Sequence, residues 1–410
     1  MSSCPTAKLL TMTALGVIAS VAVARASQEA SPDPLPQLSS DRTYVLDALM
    51  ERVLQDFSIP GLAIGIVENG APVYVRAFGV RDTKSGEPVT VHTLFNIASI
   101  TKTFTATAVM QLNERQQMTL DAPIASYVPA FAKSPITVTQ LLTHTAGLRD
   151  MRHESATDDA SAVTDYVTKA ANRKPAFDPG EGWEYSDTAF NVLGAAIESV
   201  SRESYAEYIQ TQVLTPAGMM ESTFAAPGAD SNIAWPHTGK WFVRRAPSYP
   251  SDRALLPSAG LSASIGDMTR WAALNLNRDP VLLTPASYEE MFRHRLDSGW
   301  EGMAMGLGWQ LEKRGDGWLP RHAGAEHGFS ALLTLYPEQR RAIVILSNGE
   351  TTPRIELRKL IEEVLAGQSY VPLQPPLLLR SDFQWTLGGL ACMTLLLIAV
   401  SVGYRHRSGR

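Results

Sequence analysis

Ser99 and Lys102 form a pair whose residue types and spacing could support nucleophilic chemistry. They lie three residues apart in a strongly helical stretch, 99–114, and residues i and i+3 share one face of a helix, so the hydroxyl and the amine can meet. The N-terminus of a helix also offers backbone N–H groups and a positive dipole end, which suit a developing oxyanion. A lysine whose pKa is lowered by burial and neighbours can help to deprotonate a serine.

The Ser-x-x-Lys spacing is weak evidence by itself. Ordinary residue usage gives about one or two chance matches in a chain of this length, and a helix-capping serine followed by a solvated lysine is the simpler explanation. Further motifs surround the pair, however. In chain order they are residues 95–98 (FNIA), 140–148 (QLLTHTAGL), 179–180 (PG), 185–187 (YSD), 260–264 (GLSAS), 322–324 (HAG) and 328–330 (GFS).

In this order and at these distances, the motifs resemble those of the class C serine β-lactamases, the related D-Ala-D-Ala peptidases and the esterases of the same penicillin-recognising family. The resemblance covers about residues 41–367. It implies that Ser99 is acylated with Lys102 beside it. It also implies that Tyr185 is the general base of acylation and deacylation, as a phenolate or through a proton shared with Lys102. An unperturbed tyrosine has a pKa of about 10, so this role requires nearby positive charge.

The segment from His322 to Gly324 matches the third motif of that family, which is Lys-Thr-Gly in typical β-lactamases and often His-x-Gly in peptidases and esterases. The resemblance places this segment on the strand that edges the cleft. Gly324 is expected to let the substrate backbone approach closely, and the N–H groups of Ala325 and Ser99 to form the oxyanion hole. His144 belongs to a structural segment of the family and is not assigned to catalysis.

Two departures from the family pattern bear on the substrate. Asp187 stands where the tyrosine motif normally ends in Asn, so a group with no hydrogen-bond donor replaces an amide, and an anionic acyl side chain is disfavoured. His322 is a weaker fixed cation than lysine for a substrate carboxylate, and Glu326 adds negative charge nearby. These residues favour an esterase or a D-amino-acid peptidase over a β-lactamase. The alternative from another class is a penicillin- or peptide-binding sensor that keeps the fold with little turnover.

The elements that must position these residues follow from the hydrophobic pattern. A helix is predicted over 41–57 with Asp41 as N-cap, then a hairpin of strands 61–67 and 72–80 around Asn69-Gly70. Later strands are predicted at 306–311, 329–336 and 341–346, followed by a helix at 354–366. The fold class is therefore α/β of the α+β type. An antiparallel sheet flanked by helices is built from both ends of the domain, about 41–98 and 291–367, with a mostly helical insert at about 99–290.

Both ends of the chain carry membrane signals. Lys8, an apolar run and Ala-Arg-Ala at 24–26 predict a signal peptide over 1–26, with an uncleaved anchor as the alternative. An uncharged apolar run at 383–404, followed by a basic tail at 405–410, predicts a transmembrane helix with a cytoplasmic end, with a buried core helix as the alternative. Linkers are predicted at 27–40 and 368–382. We therefore expect an exported, single-pass membrane protein whose catalytic domain is periplasmic or extracellular.

Composition excludes several function classes. The formal net charge is −5, so no basic surface favours nucleic acid as a partner. Cys4 and Cys392 are the only cysteines, which leaves the folded part without a disulfide, a thiolate metal site or a Cys nucleophile. There is also no His-Glu-x-x-His motif and no glycine-rich phosphate loop. No metal or cofactor is expected, and the expected partner is a small-molecule ester, amide or peptide substrate.

Overall fold

The computed structural model describes residues 37–151, 161–228, 231–239, 243–250 and 252–374. Its strands are β1 Gly61–Glu68, β2 Ala71–Gly79, β3 Phe95–Asn96, β4 His237–Thr238, β5 Arg244–Arg245, β6 Ser262–Ala263, β7 Leu296–Asp297, β8 Met303–Met305, β9 Gln310–Arg314, β10 Gly317–Glu326, β11 Phe329–Tyr336 and β12 Arg341–Ser347. Its α-helices are α1 Ser40–Asp56, α2 Thr101–Glu114, α3 Val138–Leu142, α4 Ala162–Ala171, α5 Asp187–Ser201, α6 Tyr205–Tyr208, α7 Leu256–Ala259, α8 Ile265–Asn277, α9 Pro285–Phe292 and α10 Arg354–Leu365.

One antiparallel sheet joins the two ends of the domain. Its strand order is β2-β1-β12-β11-β10-β9-β8-β7, and the pairing of β1 with β12 brings the early hairpin beside the late strands. The short pairs β3-β6 and β4-β5 lie in the segment between. The predicted fold class, an antiparallel sheet from both ends of the domain with a mostly helical insert, is confirmed.

Each face of the sheet buries an apolar cluster, because β1, β11 and β12 are apolar on both sides. On one face α8 packs against β1, β2 and β12, and Gly65 allows this close approach, since a Cβ there would lie 2.0 Å from Thr269 Oγ1. On the other face α1 and α10 cover the sheet, with Leu46, Met50 and Ile361 in their shared core. The sheet is therefore covered on both faces, and α8 of the helical insert packs directly against it.

The predicted hairpin is confirmed. Asn69 and Gly70 join β1 to β2 with φ values of 54° and 80°, and positive φ at both central residues is the requirement of the favoured two-residue turn.

Other local predictions need correction. The strand predicted at 306–311 is confirmed only at 310–311, where β9 begins; Gly306 to Trp309 form the turn between β8 and β9, closed by a 2.9 Å bond from the Gly306 N–H to the Trp309 carbonyl. Gly308 has φ +72°, which a strand residue does not adopt. Asp41 is not the N-cap of α1, since the helix begins at Ser40 and Asp41 lies in its first turn.

The predicted signal peptide, most of the first linker, the transmembrane helix and the cytoplasmic tail lie outside the described residues, and so does the second linker beyond residue 374. Among the described ranges, no helix combines the length and apolar character that a bilayer crossing requires.

Candidate active site

Ser99 lies in a short 3-10 turn, Ala98–Ile100, that leads directly into α2. Ala98 has φ +49°, an unfavourable conformation for a residue with a side chain, and its N–H donates a 2.8 Å hydrogen bond to Asn96 Oδ1. Ala98 and Ile100 are buried while Ser99 is partly exposed. The chain thus stores local strain to hold one hydroxyl at an accessible position, as functional sites do.

Lys102 is completely buried and its amine contacts the predicted nucleophile. Nζ lies 3.1 Å from Ser99 Oγ, 2.5 Å from Asp187 Oδ1 and 2.9 Å from the Ser258 carbonyl. An ammonium has three donors, and these contacts use them all. Burial by itself would lower the pKa of Lys102, but its interactions with the Tyr185 side chain and the Asp187 carboxylate outweigh burial and raise the pKa above its ordinary value. Lys102 is therefore held as a cation.

Tyr185 comes immediately before the N-cap of α5 and brings its half-buried ring to the same amine. Lys102 Nζ lies 4.9 Å from the centre of the ring. Burial raises the pKa of Tyr185, the Lys102 charge opposes the rise, and the Asp187 charge adds to it, so that the pKa lies above its ordinary value. The phenol is consequently protonated in the resting site. When it loses its proton, the Lys102 ammonium stabilises the resulting phenolate.

His144 holds the segment that carries Tyr185. Its Nδ1 accepts a 3.0 Å hydrogen bond from the Ser186 N–H, its carbonyl accepts a 3.1 Å bond from the Glu184 N–H, and its ring stacks on that of Tyr185 at 4.4 Å. Burial, reinforced by the charge of Lys102, keeps the pKa of His144 well below its ordinary range, so the imidazole is neutral. The structural role expected for His144 thus becomes specific: it positions the predicted general base.

The second half of β10 faces the nucleophile. β9 pairs with β10 only as far as Arg321, and along 322–326 the described chain places a partner strand, β11, on one side only. A Cβ on Gly324 would lie 2.3 Å from the Ile97 carbonyl oxygen. The close approach of the segment that carries Ser99 therefore requires a glycine here. The sequence had predicted that this glycine makes room for the substrate backbone instead. Ala325 is exposed next to it, and its N–H remains the predicted second oxyanion donor.

His322 is fully buried, and it does not serve as the weak cation expected at the cleft edge. Its Nδ1 donates a 2.9 Å bond to the Ala323 carbonyl. Burial, reinforced by the charge of Lys102, lowers the pKa of His322 to about 3, so the ring is neutral at physiological pH. The physical reason is that the ring is fully buried and lies within electrostatic range of the Lys102 ammonium.

Two carboxylates beside Lys102 make the cleft acidic. Asp187 begins α5 and its side chain is 39% exposed. Glu326 ends β10, and burial together with the charge of Asp187 raises its pKa, while neighbouring His327 acts in the opposite direction. Glu326 therefore lies within electrostatic range of the Asp187 carboxylate.

A cavity of about 220 Å³ adjoins the nucleophile segment. Its wall includes Asn96, which anchors the Ala98 N–H, and Ala259, which follows the carbonyl that binds Lys102. The remaining lining is largely apolar, with Glu326 at one side; it includes Phe224, Tyr249, Pro250, Leu255 and Leu256.

Sequence reasoning missed three contributors to the site. Trp300, 43% exposed in the turn between β7 and β8, lies 5.5 Å from the Tyr185 ring and 5.0 Å from that of Trp183, and these rings form an aromatic wall. Asp150 accepts a 3.1 Å bond from the Thr188 N–H in the first turn of α5. None of them carries a spacing signal, because the contacts join segments far apart in the chain. The described residues hold no group of His, Cys, Asp or Glu suited to a metal ion.

Comparison with known proteins identifies the family of the chain. The family model described as Beta-lactamase matches residues 46–366. The chain belongs to the beta-lactamase family. Penicillin-binding protein 4* of Bacillus subtilis (strain 168) is 28% identical over 357 residues, which cover 80% of this chain and 78% of the relative. Protein flp of Staphylococcus aureus (strain COL) is 28% identical over 382 residues, which cover 88% and 74% respectively.

Solved structures of the beta-lactamase fold are similar to it as well. The octameric penicillin-binding protein homologue from Pyrococcus abyssi superposes with a TM-score of 0.71 and 26% identity, covering 80% of this chain and 78% of that one. A class C beta-lactamase superposes with a TM-score of 0.70 and 22% identity, covering 81% and 98%, and this likeness concerns the fold alone. The resemblance inferred from the sequence motifs is confirmed, and the chain has the serine hydrolase fold of β-lactamases and penicillin-binding proteins.

Proposed function

We propose that this protein is a membrane-tethered, extracytoplasmic serine hydrolase that cleaves an ester or an amide through an acyl-enzyme on Ser99. The observation that carries the proposal is the buried ammonium of Lys102, which lies 3.1 Å from Ser99 Oγ and under the ring of Tyr185. A nucleophile, a base and a fixed cation that stabilises the base in its charged form are the components that acyl transfer requires.

The reaction follows from these groups. The phenolate of Tyr185 accepts the Ser99 proton as Oγ attacks the substrate carbonyl, and the negative charge moves to the carbonyl oxygen. Collapse of this intermediate expels the leaving alcohol or amine, which takes the proton from Tyr185. In the second half, Tyr185 deprotonates a water that attacks the acyl group, and Ser99 recovers its proton. Lys102 remains an ammonium throughout, and Asp187 balances its charge.

Esters and D-amino-acid amides are favoured over β-lactams as substrates. A β-lactam or a D-Ala terminus presents a carboxylate, which a cationic site binds best. Here Asp187 neutralises Lys102, burial keeps His322 neutral, and Glu326 adds a negative charge. The extracytoplasmic location rests on the sequence patterns at 1–26 and 383–404.

The test is turnover by the full chain in detergent. We expect wild type to hydrolyse p-nitrophenyl acetate and short acyl esters faster than nitrocefin, and Ser99→Ala to lose this activity. Ser85→Ala, in an exposed loop, is the matched control and should keep it. Absence of Ser99-dependent turnover on ester, D-Ala-D-Ala and penicillin substrates would refute the proposal that the protein is a serine hydrolase. If a covalent label remained on Ser99 without turnover, the protein would instead be a penicillin- or peptide-binding sensor. Fast penicillin hydrolysis would overturn the ranking of substrates.

A further inference from the structure

Asp187 places a hydrogen-bond acceptor in the cleft, so a substrate group that binds to it must be a hydrogen-bond donor. Its Oδ1 is engaged by Lys102 at 2.5 Å, and no hydrogen bond to Oδ2 occurs among the described residues. The side chain is nevertheless 39% exposed. Because an ionised carboxylate accepts hydrogen bonds and cannot donate them, the free oxygen requires an N–H or O–H group from its partner.

The position of Asp187 fixes which part of a substrate meets it. Nζ of Lys102 bonds both Ser99 Oγ, at 3.1 Å, and Asp187 Oδ1. The carboxylate is thus two hydrogen bonds away from the atom that attacks the scissile carbonyl. A substituent on the carbon next to that carbonyl is the part of an acyl donor that reaches this distance.

The surroundings decide the charge that is accepted. Lys102 has spent its three donors, and His322 is buried and neutral. Glu326 adds a second carboxylate on the β10 side, and the imidazole next to it, that of His327, is 75% exposed with its Nε2 3.6 Å from Glu326 Oε1. A substrate carboxylate therefore meets repulsion here, whereas an ammonium meets attraction.

We infer that Asp187 is a specificity-determining residue that selects acyl donors with an amino group on the carbon next to the scissile carbonyl and rejects those with a carboxylate there. The inference rests on the proposed function. The substrate class is esters and amides of α-amino acids with a free amino group. The neighbouring cavity of about 220 Å³, with Phe224, Leu255 and Leu256 in its wall, suits an apolar side chain on the same carbon.

The test uses three methyl esters that differ at one substituent. They are D-phenylalanine methyl ester, 3-phenylpropionate methyl ester and benzylmalonate monomethyl ester, which place an amino group, a hydrogen or a carboxylate on the same carbon. Their kcat/KM values, each divided by the rate of spontaneous hydrolysis, are compared in the wild-type full chain and in Asp187→Asn. L-Phenylalanine methyl ester is measured in parallel, so that the stereochemistry is not assumed.

The wild type is expected to favour the amino ester over the neutral one by about tenfold to a hundredfold, as a charge-assisted hydrogen bond allows. Asp187→Asn should reduce this preference at least tenfold and improve the carboxylate ester relative to the neutral one. Asp187→Glu, which keeps the charge, should retain the order of preference. Asp56→Asn, which removes a carboxylate on α1, is the matched control and should change neither ratio.

An unchanged amino-to-neutral ratio in Asp187→Asn, with all esters still cleaved through Ser99, would overturn the inference and leave the proposed function standing. If both Asp187 variants are inactive, the wild-type order decides: equal or faster cleavage of the carboxylate ester overturns the inference. Failure of every ester to be cleaved, together with failure of Ser99 to react with a fluorophosphonate, would overturn the proposed function and this inference with it.

Discussion

Replacing Gly324 by alanine should push β10 away from the segment that carries Ser99. The new Cβ would lie 2.3 Å from the Ile97 carbonyl oxygen and 3.2 Å from the Ala98 Cβ, and ordinary contact begins at 3.4 Å. The neighbour at 2.3 Å is backbone, so relief requires β10 and the Ser99 segment to move apart by roughly 1 Å. A misplacement of about 1 Å costs on the order of a hundredfold in rate, and overpacking costs about 1–3 kcal/mol of unfolding free energy.

The assay is the rate of fluorophosphonate labelling and the kcat/KM for p-nitrophenyl acetate, with urea unfolding as the measure of stability. Gly324→Ala should lose about a hundredfold in both rates while remaining folded. Gly228→Ala is the matched control, because a Cβ there meets no atom of the described residues within 4 Å, and it should behave as wild type. Labelling of Gly324→Ala at the wild-type rate would refute the reasoning that the glycine sets the distance between the strand and Ser99.

Three further outcomes follow from the site and its support. Because the active form of Tyr185 is the phenolate and its pKa is raised above the ordinary value, kcat/KM should rise steadily from pH 7 to 10, and Tyr185→Phe should abolish the rise; a plateau below pH 8 would contradict this. His144→Ala removes the ring stacked on Tyr185 and should lower kcat about tenfold to a hundredfold with a smaller change in KM, measured on p-nitrophenyl acetate; unchanged kcat would exclude the positioning role. Arg358 is 1% exposed and paired with Glu312 at 2.7 Å, so Arg358→Met should lower the free energy of unfolding by about 3–5 kcal/mol. Arg278→Met, at an exposed position, should lower it by less than about 1 kcal/mol. Equal losses of stability in urea unfolding would contradict this difference.

The parts of the fold that follow from local chemistry could be predicted. Asn69-Gly70 allows few structures other than a tight hairpin turn, and the apolar runs of β11 and β12 have the length and composition of buried strands. The strand predicted at 306–311 begins too early, because Gly306 and Gly308 specify a turn through backbone conformation and close packing. Hydrophobic periodicity does not register either constraint.

The site was predictable to the extent that its members share short motifs. The spacing of Ser99 and Lys102 brings their polar atoms together as expected, and Asp187 reaches the same amine. The Ser258 carbonyl and Trp300 were not predictable, because each joins the site only through tertiary packing of distant segments. Burial has the same origin, and together with the charge of Lys102 it makes His322 neutral and removes the cation expected from its residue type.

The central claim is that Ser99 forms the acyl-enzyme. The most direct measurement is intact-mass and peptide-mapping mass spectrometry of the full chain, quenched with acid during turnover of p-nitrophenyl acetate. We predict an acetyl adduct on the peptide that contains Ser99, formed and lost at rates that account for turnover and absent in Ser99→Ala. Turnover without an adduct on Ser99, or an adduct on another residue that persists in Ser99→Ala, would contradict the claim.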